Sequence, residues 1–307
     1  MLEEIIQSCC TGFGDCVVGY ISAYILKKQL EKLYLKKEIK LTIGWHYVKC
    51  PYIAPQHISD NYYKRQKSAF VNCLYYGDDG TLAFAQYYKS PKMFYDLNHK
   101  KYLKITINQY IGKCIIDETT TREDIKNLTY EAYKYFWNNV IDHNLIPQNI
   151  RNPGYNYDKM MTIYVRIGDQ YLCGGNKNTQ PPLEQCYQYL KVIQHLPYIS
   201  LIGDTNNQAM SDVYQKMYGT NNTMILTSGP ISHSCGRISI EQWNKIFGDL
   251  YQILQSKSVV ILSNWSNFTR IVLFLREIPD QMIYFLKNDT LELVEDTSTL
   301  FSKHYQF

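Results

Sequence analysis

The sequence predicts an α/β protein whose second half is Rossmann-like, and three features carry that expectation. From Met160 onward, strand-like runs alternate with helical patterns, the order expected of a parallel sheet with crossover helices. The stretch Met160–Asp169, MMTIYVRIGD, is apolar on both faces until it breaks at Gly168, as suits a strand covered on both sides. The chain also opens with a short strand-like run through Cys10, a glycine-bearing turn at Thr11–Asp15, and a long helical pattern.

Gly12 and Gly14 permit a tight turn, and the helix after it, from about Cys16 to Lys37, aims its first amides toward an anion or a sugar hydroxyl. A dinucleotide fingerprint would need glycine at position 17, where Val17 stands, so a dehydrogenase is the weakest reading. Lys27, Lys28, Lys32, Lys36 and Lys37 read as the solvated face of that helix, with Ile21, Ile25 and Leu33 buried. Leu41–Gly44 reads as a strand. Trp45–Gln109 has poor periodicity, and its basic cluster Lys64-Arg65-Lys67 with Tyr62 and Tyr63 reads as a solvated loop. Asp117–His143 is helical by pattern, with Tyr130, Tyr133, Phe136, Trp137 and Val140 forming a core stripe. Leu145–Tyr157 holds two prolines and a glycine without periodicity and is the expected linker. It divides a first domain, 1–155, from a second, 156–307. In the second, strands at Met160–Arg166, Tyr198–Ile202, Thr223–Leu226, Val259–Leu262 and Met282–Leu286 alternate with helices near Pro182–Leu196, Gln208–Tyr218, Ser239–Ser256 and Asn267–Glu277.

Composition narrows the function classes. A chain of 307 residues, 45% hydrophobic and 20% charged, is a folded protein of two ordinary domains. A net charge of +4 favours anionic ligands of nucleotide size over nucleic acid. The 29 tyrosines, with many Asn, Lys and Ile, reflect an AT-rich codon bias rather than a binding signature. Nine scattered cysteines without a paired CxxC arrangement support neither zinc nor a disulfide scaffold, so a reducing compartment is expected. Glu3 and Glu4 stand where a secretory leader would be basic, and no apolar run reaches bilayer length. A cytoplasmic protein without a membrane span is the expectation, and the Asn-x-Ser/Thr matches at Asn127, Asn221, Asn264, Asn267 and Asn288 are read as chance.

Chemistry gathers at the strand ends. Arg166 offers a planar fork suited to phosphate, although an Arg166–Asp169 pair that ties the strand to its loop explains the two residues equally well. The next strand ends in Gly203-Asp204-Thr205-Asn206, another in Thr227-Ser228-Gly229 with His233 soon after, and a third in Ser263 to Phe268. Asp204 can accept from ribose hydroxyls or a guanine edge, while Ser263, Ser266 and the amides opening the Asn267 helix can hold phosphate. Each alone is better explained as a helix cap. Together with Arg166 at the ends of parallel strands, a phosphate crevice is the better account.

This set of motifs resembles the GT-B fucosyltransferase superfamily, the clan of α1,2-, α1,6- and protein O-fucosyltransferases. Gly12-Phe13-Gly14-Asp15, followed by Ile21-Ser22-Ala23-Tyr24, is similar to its Gly-Leu-Gly-Asn turn and Ser-Ala helix. Tyr164 to Asp169 is similar to its His-x-Arg-Arg-Gly-Asp motif, in which the first Arg binds the donor β-phosphate. Ile202-Gly203-Asp204-Thr205 resembles its strand ending in Thr/Ser-Asp, and Gly229 to His233 its His-bearing loop. Asp249-Leu250 through Ser263 to Arg270 resembles its last motif, an Asp-headed helix leading to a strand and a Ser-x-Phe-x-Arg turn. The chain departs where the family's leading His is Tyr164 and its second Arg is Ile167. Cys173, Gly174 and Gly175 follow where some members carry an acidic base.

The resemblance implies two Rossmann-like domains facing across a cleft, the first on the acceptor side and the second binding the nucleotide sugar, with the last residues packing back on the first. It implies inverting transfer of fucose from GDP-fucose to a glycan hydroxyl, without a metal or other cofactor. Arg166 is the expected phosphate ligand, and Asp169, Asp15 and His233 are candidates for the base. Gly12, Phe13, Gly14, Asp204, His233, Ser263, Ser266, Asn267 and Phe268 are expected around the donor. A binding module without turnover and a transferase of another nucleotide-linked sugar are the alternatives. Acceptor, linkage and oligomeric state are not legible.

Overall fold

A computed structural model of the chain describes residues 2–8, 12–32, 38–45, 49–60, 69–71, 102–106, 121–165, 183–203, 207–219, 223–226, 238–262, 267–275, 281–287 and 289–294. They divide into two compact units between His143 and Asn144.

In the first unit, β1 (Glu4–Ser8) is buried at every position and leads into α1 (Phe13–Leu30). β2 (Lys40–Ile43), β3 (Ala69–Val71) and β4 (Tyr102–Thr106) follow, and all four strands form one parallel sheet in the order β2-β1-β4-β3. The glutamate in β1 is tolerated because Glu4 accepts hydrogen bonds from the Thr42 and Ser59 hydroxyls, so its buried oxygen is partnered. Gln7 plays a similar part, accepting from the Trp45 indole and donating to the Ser8 carbonyl at 3.1 Å.

Helix α1 differs from its pattern in two ways. It begins at Phe13, so Gly14 and Asp15 lie in its first turn rather than in a loop before it. It is also buried around most of its circumference, with only Gly14, Asp15, Lys27 and Lys28 outside the buried set. The sheet covers one side. The other is met by α2 (Arg122–Tyr135) and the π-helical turn Phe136–Val140, where Tyr20 packs on Phe136 at 5.2 Å and Tyr24 on Tyr135 at 5.3 Å. Lys27 and Lys28 therefore do not head a solvated face; they pair with Glu31 at 3.3 Å and Glu131 at 3.1 Å in the helix's last turn, where cations oppose the helix dipole. Thr121 and Asp124 form the capping box that starts α2. Tyr133, Phe136, Trp137 and Val140 are buried as the stripe requires.

The expected linker packs as part of the second unit. Ile146 is buried, α3 (Gln148–Arg151) folds beside it, and the Arg151 carbonyl accepts from Gln255 at 3.1 Å. Then follow β5 (Met160–Val165), α4 (Leu183–Tyr187), β6 (Tyr198–Gly203), α5 (Asn207–Tyr218), β7 (Thr223–Leu226), α6 (Ile240–Gln255), β8 (Ser258–Ile261), α7 (Asn267–Leu275), β9 (Met282–Lys287) and β10 (Thr290–Leu293). The sheet order is β10-β9-β8-β5-β6-β7, parallel except for β10, which pairs antiparallel with β9.

Strand β5 explains its own sequence. Met161, Ile163 and Val165 join a core with Tyr187, Leu190, Met210 and Tyr214, while the alternate residues meet α6 and α7. Thr162 bonds Ser256 at 2.6 Å, and Tyr164 stacks on Phe268 at 5.6 Å. Gln281 donates to the Ile253 carbonyl in α6 at 2.7 Å and to that of Ser256, the C-cap of α6, at 2.8 Å. A strand covered on both sides has no solvent face, hence its unbroken apolar run.

Candidate active site

Each sheet has one place where its strand order reverses. In the first it lies between β1 and β4, because β2 sits on one side of β1 while β4 and β3 sit on the other. In the second it lies between β5 and β8: the chain steps from β5 to β6 and β7 in one direction, then resumes at β8 and β9 in the other. Open parallel sheets bind ligands outside the carboxyl ends of the strands at such a point.

In the first unit the carboxyl end of β1 leads to Gly12, which is extended (φ −66, ψ 166) as the N-cap of α1, its carbonyl accepting from Cys16 at 2.9 Å. Phe13 is 2% exposed and meets Trp45 edge-on at 6.2 Å. The Phe13 ring therefore packs in the core of the first unit, directly after the Gly12 N-cap. Asp15 stands in the first turn of α1, half-buried, where its charge suits the helix dipole.

In the second unit the ends of β5 and β6 are level, with Val165 paired to Gly203. A Cβ on Gly203 would stand 2.2 Å from the Val165 carbonyl oxygen, so only glycine permits this approach. On the other side of β5, the Leu262 amide donates to the Tyr164 carbonyl at 2.9 Å, continuing the β8 pairing to its end. Helix α7 opens at Asn267 directly beyond that end, and the half-buried Phe268 ring lies on Tyr164 with 23° between planes. Asn267 and Phe268 thus stand at the reversal point of the sheet.

Arg166, Asp169, Asp204, His233, Ser263 and Ser266 lie outside the described residues. In sequence, Arg166 follows Val165 directly, Asp204 follows Gly203, and Ser263 follows Leu262. These three strand ends are neighbours in the sheet. Asp249 does not head a helix as the motif suggested; it lies inside α6, 7% exposed, with Lys245 at 2.8 Å. Arg270 is buried in α7 at 2% exposure. Sequence reasoning missed Lys245, Tyr164 as the support beneath Phe268, and the reason for Gly203. A lysine four residues before an aspartate on a helix is the only signal that would have pointed to the buried pair. Among the described residues no group of His, Cys, Asp and Glu is placed to hold a metal, and Cys16, Cys50 and Cys186 are buried free thiols.

Two α/β units, one with a parallel and one with a mostly parallel sheet, each with a reversal point flanked by a helix N-terminus, match the GT-B fucosyltransferase-like fold. The chain is similar to NodZ α-1,6-fucosyltransferase of Bradyrhizobium co-crystallised with GDP, with a TM-score of 0.58 and 15% identity over 96% of this chain and 99% of that one. The same enzyme soaked with GDP-fucose gives a TM-score of 0.57 at 15% identity, covering 96% of this chain and 100% of that one. A mutant of Arabidopsis thaliana FUT1 in complex with GDP gives 0.54 at 11% identity, over 95% and 74% of the two chains. No family model matches the sequence, and no curated protein sequence matches it. At these identities the likeness establishes the fold.

Proposed function

We propose that the chain is a glycosyltransferase that moves fucose from GDP-fucose to a glycan hydroxyl with inversion at the anomeric carbon. The observation that carries this reading is positional: the residues matching the phosphate-binding motifs follow, in sequence, strand ends that flank the reversal point of a fucosyltransferase-like fold. Transfer builds negative charge on the departing GDP and positive charge on the sugar ring. Arg166, with Ser263, Ser266 and the amides that open α7 at Asn267, stabilises the diphosphate; a donor of this kind contributes about 3–4 kcal/mol to the transition state. Asp204 and His233 hold the nucleoside. With charge neutralised by Arg166 and helix amides, the reaction proceeds without a metal. Asp15 and Asp169 are the groups proposed to receive the acceptor proton.

A second reading rests on Tyr164. The motif's leading His is a tyrosine here, 6% exposed and stacked on Phe268, so that side chain is committed to packing. A module that binds nucleotide sugar without turnover follows if no other group replaces it.

Calorimetric titration of GDP, GDP-fucose, UDP-glucose and NAD into wild type and Arg166→Ala separates these readings. Guanosine-selective binding that the variant loses, with GDP-fucose consumed by wild type, is the expected result. Binding without consumption in the presence of a broad glycan panel supports the module, and no guanosine preference overturns both.

A further inference from the structure

The second sheet ends at β10 in an edge that its own ladder leaves open. β10 pairs with β9 in the register Thr290↔Lys287, Leu291↔Leu286, Glu292↔Phe285 and Leu293↔Tyr284, and the Val294 amide donates to the Ile283 carbonyl at 2.7 Å. In an antiparallel pair, hydrogen-bonded and non-bonded positions alternate along the strand. Val294 is bonded to β9, so Glu292 and Thr290 are bonded too, and the N–H and C=O groups of Leu291 and Leu293 point away from β9. Among the described residues nothing bonds these outward groups. Backbone groups of this kind need partners, and they define a template for another strand. The edge is also fixed in place: the turn before β10 holds Asp289 at a φ of 60°, and the Asp289 carboxylate accepts from Tyr189 at 2.8 Å.

The side chains beside the edge say what kind of strand it takes. Edge strands are commonly blunted by lysine, proline or a bulge, and Thr290 to Val294 carries none of these. Leu293 is 47% exposed, and so is the neighbouring Val192, at 76%, which ends the 3-10 turn Gln188–Val192 packed beside β10. Leu291, on the same face as Leu293, is half-buried against the core that holds Tyr187 and Leu190. Charge along the edge is one-sided. Asp289 and Glu292 are exposed, and Glu295 and Asp296 follow them in sequence, whereas the bases alongside are Lys191 in the turn and Lys287 at the end of β9.

An occupant must supply extended backbone to pair with Leu291 and Leu293, apolar side chains for the face of Leu293, and positive charge for the acids. A second copy of the chain supplies the first two only. Two β10 strands laid antiparallel bring both sets of acids onto one ladder, and like charges across a strand pair are destabilising. We propose that the outer edge of β10 docks an extended, basic segment of a partner protein by strand addition. Main-chain bonds to Leu291 and Leu293 supply the affinity, and lysine or arginine alternating with aliphatic residues supplies the selectivity. In the sheet, β9 and β8 separate β10 from β5, so this surface is distinct from the reversal point and independent of the transferase reading.

Fluorescence anisotropy of a short labelled peptide alternating lysine and valine, titrated with the full chain, tests this. Two control peptides accompany it: one with glutamate for lysine, and one N-methylated at alternate residues, which keeps its charge but cannot pair. Leu293→Pro deletes an outward donor without touching a β9 bond, as proline on an edge strand allows, and Glu292→Lys reverses an exposed charge with the backbone unchanged. The expected result is binding of the lysine peptide alone, weakened about fivefold or more in each variant, with the Leu291 and Leu293 amides protected from hydrogen exchange in the complex. The proposal is overturned if the lysine peptide does not bind, if either control binds as well as it does, or if both variants bind it like wild type. Sedimentation showing a wild-type dimer that Leu293→Pro dissociates would make a second copy the occupant and would overturn it equally.

Discussion

Replacing Gly203 with alanine adds one methyl group where the chain has no room. The new Cβ would stand 2.2 Å from the Val165 carbonyl oxygen and 3.3 Å from both the Val165 carbonyl carbon and Met210 Sδ. A carbon and an oxygen in van der Waals contact need more than about 3.2 Å, so the paired strands must separate by roughly 1 Å. The obstacle is the backbone of β5, which cannot swing aside as a side-chain tip can. Overpacking of this kind costs about 1–3 kcal/mol. Arg166 and Asp204 are the next residues after this pair of strand ends, and a misplacement of roughly 1 Å in a positioned group is of the order of 10²-fold in its effect. Urea denaturation should show a lowered midpoint, and calorimetry at a temperature where the variant is folded should show GDP affinity reduced by about 10²-fold. A Gly203→Ala protein with wild-type midpoint and GDP affinity would refute the argument that this rung sets the site.

Phe268→Ala removes the stack on Tyr164, which contributes about 0.5–1.5 kcal/mol beyond its buried area; thermal unfolding should register a loss of about 2 kcal/mol, recovered in Phe268→Tyr. Asp249→Ala removes the carboxylate 2.8 Å from the buried Lys245 ammonium and should cost about 3–5 kcal/mol in chemical denaturation, whereas the double change Lys245→Met/Asp249→Leu should cost far less. Burial pulls the His57 imidazole below its ordinary range, a bond to the Asn139 backbone opposes this, and the Lys40 charge adds to it. The unfolded chain then binds more protons at this site than the fold does below the ordinary value of 6.5. Stability from His57 is therefore complete above that value and declines as the pH falls from it toward the lowered folded value. Urea midpoints on either side of the window should show the decline, and His57→Gln should flatten it.

The second sheet was largely legible in the sequence because its strands and helices follow the rule that a buried parallel strand is uniformly apolar and its crossover helix periodic. Thr223–Leu226 falls where its pattern placed it, and the helix expected at Gln208 begins one residue earlier. Helix α1 is buried more widely than its pattern predicts: Lys27, Lys28 and Lys32 mark only its C-terminal end, while Tyr20, Tyr24 and the α2 contacts bury the rest, and Leu33, Lys36 and Lys37 lie outside the described residues. Helix α4 ends at Tyr187 and continues as a 3-10 turn to Val192, short of the helix expected to Leu196; the tertiary packing of Tyr187 and Leu190 into the core overrides the local pattern. Strand β10 is not predicted because it is only four residues long and half-buried to exposed, so the alternation of Thr290-Leu291-Glu292-Leu293 is too short to mark a strand. At the site, the order of motifs pointed to the strand ends, but the two details that fix the described geometry, the Gly203 approach to Val165 and the Phe268 stack, are contacts between distant segments that no local pattern encodes.

The central claim is that the reversal point of the second sheet binds a guanosine diphosphate sugar through Arg166 and turns it over. Release of GDP from GDP-fucose, followed with and without a glycan panel in wild type and Arg166→Ala, tests it most directly. The account predicts acceptor-dependent GDP release by wild type in the presence of EDTA, reduced about 10²–10³-fold in the variant. Release unaffected by Arg166→Ala, or none by a wild type that shows no affinity for GDP, would contradict it.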